Sequence, residues 1–482
     1  MARRNLWRAS RLSSQVFFNR SEELKGLRDM VSARDGSMVL VTGPPDSGKS
    51  ALLAEFMFRE RQDNHTFHID MRSGTFNTAA SFGRELKAQV LYNFVPAARK
   101  FLEKLMNSTE GKASMESGKA EDEADEADEE EAGAGFIKQL FKDLIEAMDA
   151  IEKVEGTDMQ ELLKALESLF AGWTSLARLV SRGQGGYPTL IIDEANRLHE
   201  WSLSESEEEN LMTLQAWLIM VTKQMGITNV ILCSSEDFFK FWVEAHFGKD
   251  RYMVGVVGDL TEEESFKFFK GLLKDRDVPP GMWKEIYDYF GGRINSLKHI
   301  ARQLSWCRND EAEMQAAWEK ARRFMQAKSW AEIAEGMQPE NLPQKWTRPV
   351  LGIPFAEDRL KGVSPLWTPD EFKLLLKRLT DAEGGVCSVN DLRQVIRKEA
   401  LFSLIQHNFL HYREESLFGG RDLDWFKGRF PVVMPVSRPK FHAMKQNLRP
   451  EKNVNGKCLY ICLTNSQNRS RCQSEKWPMD WG

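Results

Sequence analysis

The sequence predicts an α/β fold: a parallel sheet flanked by helices, then a helical lid, then a small α+β unit of winged-helix-like form. Three observations carry this. Gly43-Pro44-Pro45-Asp46-Ser47-Gly48-Lys49-Ser50 stands between an apolar run (38–42) and an amphipathic helical pattern. A second apolar run, Thr189-Leu190-Ile191-Ile192, ends in the paired acids Asp193 and Glu194. Between residues 367 and 447, three short helical patterns precede two runs rich in β-formers.

The first observation is a complete G-x-x-x-x-G-K-[ST] phosphate loop in its strand–loop–helix context, the P-loop NTPase arrangement. Its glycines let the backbone curl so that successive N–H groups converge, and the positive end of the next helix faces the same point. The expected nucleotide contacts are therefore Gly43, Pro44, Pro45, Asp46, Ser47, Gly48, Lys49 and Ser50. In this arrangement Lys49 reaches the outer phosphates of ATP, and the Ser50 hydroxyl is placed to ligate Mg²⁺.

The second observation follows from strand geometry. A buried parallel strand delivers its last residues to the carboxyl edge of the sheet, where ligands bind in open α/β folds. Asp193 is thus expected beside the metal, and Glu194 is expected to orient or deprotonate the attacking water.

Length and composition bound the rest. A chain of 482 residues exceeds one ordinary core, so several domains are expected. Forty-two per cent apolar and 28 per cent charged residues suit a globular chain. The formal charge of −5 hides an acidic run at 121–131; without its nine acids the remainder carries +4. Such a balance permits a nucleic-acid partner without requiring one. No apolar stretch is long enough to span a bilayer, and the six scattered cysteines fit a reducing compartment, so an intracellular location in cytoplasm or nucleus is expected. Cys458, Cys462 and Cys472 lack a fourth ligand at zinc-finger spacing. Arginines at 3, 4, 8, 11 and 20 among serines also allow a mitochondrial or plastid targeting segment, or a basic arm, over residues 1–15.

In chain order, the ATPase unit is expected over residues 16–260. Ser21 caps a first helix, Thr66-Phe67-His68-Ile69-Asp70 is a second strand, and residues 77–105 have helical periodicity. Residues 107–135 offer almost nothing to bury and are expected to form a disordered acidic insert. Helical periodicity resumes at Phe136 and runs to about Val180. Leu211 to Met225 reads as a helix, and Asn229-Val230-Ile231-Leu232-Cys233 as a fourth strand. That strand ends in Ser234 and Ser235, hydroxyls that could sense the γ-phosphate or cap the next helix. A fifth strand is expected from Arg251 to Val257. Thr261-Glu262-Glu263-Glu264 then opens a helical lid over 261–335 with a capping box.

These pieces resemble the archaeal-type ATPase family of P-loop NTPases, allied to STAND and AAA+ proteins, over roughly residues 16–330. The family's entry element is matched by Phe17-Phe18-Asn19-Arg20-Ser21-Glu22-Glu23-Leu24, with Asn19 where the family has glycine and Ser21 where it has glutamate. The Gly-Gly-x-Pro lid element is present as Gly291-Gly292-Arg293-Ile294, without the proline. The resemblance implies that Arg20 belongs to the nucleotide-binding set and that Ser234 or Ser235 holds the sensor position. It also implies that Arg251 is a candidate arginine finger for the γ-phosphate, in its own or a neighbouring subunit, the alternative being a surface pair with an acid.

Beyond the lid, six prolines between 339 and 369 suggest a linker at 336–366. The winged-helix-like unit should occupy 367–447 and an irregular tail 448–482. Arg393, Arg397 and Lys398 could line a DNA-facing helix there, or could simply be solvated. The expected activity is Mg²⁺-dependent ATP hydrolysis in a nucleotide-dependent switch that repositions lid and C-terminal unit, with a protein partner or self-association. A nucleic-acid-handling motor or loader, and a nucleotide-gated scaffold with negligible turnover, are the alternatives.

Overall fold

The computed structural model describes residues 18–448, apart from 19, 32–36, 61–64, 73–75, 77, 117–126, 181–186, 275, 280, 308–309 and 343–363. The N-terminal arm, the tail with its three cysteines, and most of the proline-rich linker lie outside the described residues.

Helix α1 (Ser21–Val31) leads to strand β1 (Met38–Thr42) and, past the phosphate loop, to α2 (Lys49–Glu60). Next come β2 (Thr66–Asp70), α3 (Ala79–Gln89), α4 (Val95–Glu116), α5 (Ala127–Lys153) and α6 (Met159–Val180). Then follow β3 (Thr189–Asp193), α7 (Glu205–Ile219), β4 (Asn229–Cys233), α8 (Phe239–Phe247) and β5 (Met253–Val256). The helix expected from Leu211 therefore begins at Glu205, and it passes into a π-helical turn at Met220–Gln224.

The acidic insert requires a correction. The expected disordered stretch at 107–135 is helical through Glu116 and again from Ala127, and only 117–126 lie outside the described residues. Sparse apolar content argued against burial, but Ala, Glu and Lys are strong helix formers and extend helices already anchored elsewhere.

The five strands are all parallel, in the order β2-β3-β4-β1-β5. The central strands β1, β3 and β4 are buried on both faces, and side chains of the sheet alternate between two cores. Leu40, Ile69, Ile192 and Leu232 face a large aromatic core with Phe82, Phe94, Phe170 and Trp217 from α3 to α7. Val41, Ile191 and Ile231 face Leu24, Leu27, Leu53 and Phe56 from α1 and α2. Interposing β4 between β1 and β3 sets the phosphate loop and the acidic strand about 10 Å apart, two strand spacings.

The lid comprises α9 (Glu262–Leu272), α10 (Met282–Phe290), α11 (Ile294–Ser305) and α12 (Glu311–Gly336) around Phe269, Phe290, Leu297 and Trp318. The capping box forms as expected: Thr261 accepts from the Glu264 amide while Glu264 accepts from the Thr261 amide.

The last unit holds α13 (Pro369–Asp381), β6 (Cys387–Ser388), α14 (Val389–Leu392), α15 (Lys398–Gln406), β7 (Leu410–Arg413), β8 (Val432–Pro435) and α16 (Arg438–Asn447). Its sheet is antiparallel, ordered β6-β8-β7, which completes a winged-helix topology. Sequence periodicity missed β6, only two residues long, and α16, a polar helix that packs on α12.

The lid and the last unit share side chains. Ile333 of α12 joins the core of Phe372, Leu376 and Phe409, and Trp367 donates its indole N–H to the Gly336 carbonyl at 2.9 Å. Phe238 and Phe241, at the start of α8, pack on Phe402 of α15 at ring distances of 5.6 and 6.2 Å.

The wing between β7 and β8 lies on the ATPase sheet. The Leu417 amide donates to the Val254 carbonyl at 3.0 Å, and the Val256 amide donates to Ser416 Oγ at 2.8 Å. Phe418 is inserted into the core beneath α1. Gly419 and Gly420, at φ 70° and 79°, turn the chain away again.

Candidate nucleotide-binding site

The phosphate loop leaves the carboxyl end of β1 and enters α2 at Lys49. Gly43, at φ 148°, passes so close to Val257 that a Cβ would lie 2.2 Å from its carbonyl oxygen, which only glycine avoids. Asp46, at φ 65°, makes the tip of the curl and is exposed, as is Pro45. Pro44, Ser47 and Lys49 are buried, while Gly48 and Ser50 are half-buried. Lys49 Nζ donates to the carbonyls of Gly43 and Pro44, both at 2.9 Å. Burial pushes this ammonium below its ordinary pKa, so it is poised for an anionic partner. Ser47 Oγ is buried without a hydrogen-bond partner among the described residues, an unsatisfied polar group within the phosphate loop.

Arg20 stands behind this loop. Its guanidinium donates to the Ser47 carbonyl at 2.9 Å, the Gly258 carbonyl at 2.7 Å and Glu23 Oε1 at 2.8 Å. In this arrangement it braces the loop against the chain leaving β5. Glu23 is shared: Arg421 of the wing reaches it at 3.1 Å and Glu264 of the lid at 2.7 Å. A continuous polar path therefore runs from the phosphate loop through Arg20, Glu23 and Arg421 to the lid.

Asp193 and Glu194 end β3 facing the loop. Asp193 is buried; its Oδ1 accepts from the Glu194 amide at 3.0 Å. Glu194 adopts a left-handed conformation, φ 54°, which turns its carboxylate out of line with the strand. Burial, then the neighbouring Asp193 charge, raise its pKa above the ordinary carboxylate range.

The two serines after β4 have separate places. Ser234 Oγ donates to Asn196 at 3.0 Å and accepts from the Glu236 amide, a bond within its own turn. Ser235 Oγ lies 3.4 Å from Glu194 Oε2. Neither caps α8, whose N-cap residue is Phe238.

Arg251 is set apart from these groups. It is exposed and precedes β5, whose Met253 is level with Val39 near the amino end of β1. The phosphate loop is at the opposite, carboxyl edge, so the same subunit does not bring the two together.

One site residue carried no motif. Arg72, two positions past β2, donates through Nη2 to Asp193 Oδ2 at 2.7 Å and to Ser50 Oγ at 3.0 Å. The register explains its position: Asp70 pairs with Asp193, so the chain leaving β2 emerges beside the acidic strand. The sequence signal was an arginine just after a strand ending in aspartate, unreadable without the strand order.

The group fits Mg²⁺. Ser50 Oγ and Asp193 Oδ2 already converge on one cationic centre, the Arg72 guanidinium. Among the described residues no three acidic, His or Cys side chains form a metal cluster. Mg²⁺ in nucleotide sites needs few protein oxygens and takes the rest from phosphate and water.

In the C-terminal unit, Arg397 forks onto Glu371 at 2.7 and 2.9 Å and donates to the Leu366 carbonyl at 3.0 Å. The Lys398 ammonium lies 5.8 Å from the Phe402 ring centre, and Arg393 is exposed. Among the described residues, no helix is long and apolar enough to cross a membrane.

Known proteins similar to this chain include archaeal ATP-binding proteins. An uncharacterized ATP-binding protein of Methanocaldococcus jannaschii is 25% identical over 305 residues, covering 59% of this chain and 72% of its own length. One from Pyrococcus abyssi is 24% identical over 299 residues, covering 61% and 75%. Among solved structures, a Walker-type ATPase of Pyrococcus abyssi aligns with a TM-score of 0.47 at 14% identity, covering 89% of this chain and 96% of that one. The family model described as an ATPase domain predominantly from Archaea matches residues 17–300, well over half of the chain, and the protein belongs to that family.

Proposed function

We propose that this chain is a Mg²⁺-dependent ATP hydrolase whose nucleotide state governs how the winged-helix unit sits on the ATPase sheet. The observation that carries the reading is the shared edge. Thr42, Gly43, Ser235 and Glu236 line one wall of a small cleft beside the phosphate loop, and His411, Tyr412 and Arg413 of β7 line the other. His411 is paired with Asp237, the Tyr412 amide donates to the same carboxylate at 3.2 Å, and Lys240 bridges to Glu414 at 2.9 Å. The C-terminal unit thus already contacts the sheet edge beside the loop that a nucleotide would enter.

The residues divide the work as follows. Lys49 exchanges two loop carbonyls for phosphate oxygens, a stronger charge-assisted pairing. Glu194 takes a proton from the water that attacks the γ-phosphorus, as the bond to the ADP oxygen breaks. Ser235 is placed to hold the Glu194 carboxylate. Ser50 and Asp193 would hold Mg²⁺, which when bound neutralises charge on the phosphate oxygens. Movement of the loop reaches the wing along the path from Ser47 through Arg20 and Glu23 to Arg421.

The test combines turnover with distance. Phosphate release from ATP is measured for the wild type and for Glu194→Gln. Spin labels at the exposed positions 58 and 417 report the separation of α2 and the wing. The expected result is release by the wild type alone, and a changed distance distribution when Glu194→Gln holds ATP. One distance in every nucleotide state would remove the switch; ATP binding without release would leave a scaffold.

A further inference from the structure

Arg72 occupies the place a metal ion would need. Its Nη2 contacts both Asp193 Oδ2 (2.7 Å) and Ser50 Oγ (3.0 Å), and its Nη1 lies 3.8 Å from Glu194 Oε1. The same side chain is tethered at its base: Nε donates to Asp70 Oδ1 at 2.9 Å, and the Arg72 amide donates to that oxygen at 3.0 Å. Asp193 is almost fully buried, whereas the Arg72 side chain is 49% exposed. One end of the contact is fixed and the other can withdraw into solvent.

We propose that Arg72 is a built-in counter-cation at the metal position of the nucleotide-free chain. It neutralises the buried Asp193 and the neighbouring Glu194 until a metal–nucleotide displaces it, and so makes metal binding depend on nucleotide. This rests on the reading that Ser50 and Asp193 hold the metal. A guanidinium and a divalent cation compete for these two oxygens, because both are positive and would stand within a few ångströms of each other. A metal ion arriving alone must therefore displace Arg72 without offering it another anion. A metal arriving with a polyphosphate supplies both the charge that compensates the exchange and new oxygens for the forked guanidinium. Without Arg72, a buried carboxylate would face the empty site unpaired, which is costly and favours capture of any free cation.

The experiment is Mn²⁺ binding, followed by electron paramagnetic resonance, to the nucleotide-free chain. The wild type should bind weakly. Arg72→Gln, similar in volume and neutral, should bind roughly tenfold to a hundredfold more tightly, the scale of one partly screened charge at a few ångströms. Arg72→Lys keeps the charge but cannot reach both oxygens at once, so it should fall between them. It carries the test if the glutamine variant does not fold. With ATP present, the difference between wild type and Arg72→Gln should narrow.

Asp193→Asn separates the two readings. It should weaken Mn²⁺·ATP binding, and added to Arg72→Gln it should abolish the tight nucleotide-free binding. If Asp193→Asn leaves Mn²⁺·ATP binding unchanged, the metal assignment falls and this inference falls with it. If that control behaves while both Arg72 variants match the wild type without nucleotide, the counter-cation role alone is overturned.

Discussion

Phe418 of the wing lies directly over Gly255 of β5, so close that a Cβ on the glycine would sit 2.0 Å from the ring. Gly26 of α1 receives the other side of the same side chain, with a Cβ there at 2.4 Å. Two glycines on separate elements thus form a slot for one aromatic residue. Since Leu417 also extends the hydrogen bonding of β5, the wing is built into the ATPase fold in this conformation.

Phe418→Ala should therefore destabilise the docked arrangement by about 3–5 kcal/mol, the usual range for truncating a buried phenylalanine. The wing should also become cleavable at low protease concentration while the lid stays protected. Limited proteolysis with mass spectrometry reads this directly. An undisturbed wing would mean that the remaining contacts, among them the hydrogen bonds of Ser416 Oγ and the Leu417 amide, suffice to hold it.

Lys49→Ala should remove at least one charged hydrogen bond to phosphate, roughly 1.5–3 kcal/mol or about tenfold to a hundredfold in ATP affinity. Calorimetric titration measures it. Lys49 also ties two loop carbonyls in the empty state, so the variant should lose some rigidity without nucleotide. Unchanged ATP affinity would remove the central assignment of the site.

The parts legible in the sequence were those whose chemistry is local. The phosphate loop carries its glycines, lysine and serine in eight consecutive residues, and Asp193 and Glu194 mark their own strand end. Periodicity likewise sufficed for the lid, and for α13 with its capping threonine. What could not be read depended on which strands are neighbours. Arg72 joins the site only because β2 pairs with β3, and Ser234 and Ser235 differ only in what the β3 chain end presents to them. The docked wing left a faint signal, since Leu417-Phe418-Gly419-Gly420 is oddly apolar for a loop tip. The acidic insert is misleading because its composition opposes burial while still favouring helix.

If Arg251 serves a γ-phosphate, that phosphate belongs to a neighbouring subunit. Roughly 15 Å of strand rise separates its level on the sheet from the carboxyl edge where the phosphate loop begins. We therefore expect Arg251→Ala to bind ATP as the wild type does. Turnover per wild-type subunit should rise with protein concentration, and Arg251→Ala should lose that rise. Mixing Arg251→Ala with Glu194→Gln should restore part of it, because a mixed interface joins an intact Glu194 to an intact Arg251. Wild-type turnover independent of concentration would end the finger role.

The last prediction concerns Arg397, which the sequence offers as a DNA contact and the structure ties to Glu371. The fork onto Glu371, aided by the Thr368 amide at 2.9 Å, holds that carboxyl down at about 2. A carboxylate depressed in the folded state adds stability that is present above its ordinary pKa near 4.5, and that is lost as pH falls towards 2. Arg397→Ala should therefore return Glu371 most of the way to its ordinary value, the Thr368 cap retaining the remainder. The urea midpoint of the variant should lie below that of the wild type at neutral pH, and the gap should close as the solution is acidified below about pH 4. The pair is solvent-facing, so high salt should narrow the gap as well. If Arg397 instead serves a phosphate backbone, its removal should leave the urea midpoints together at every pH. It should then reduce by about one the slope of log affinity against log salt for DNA.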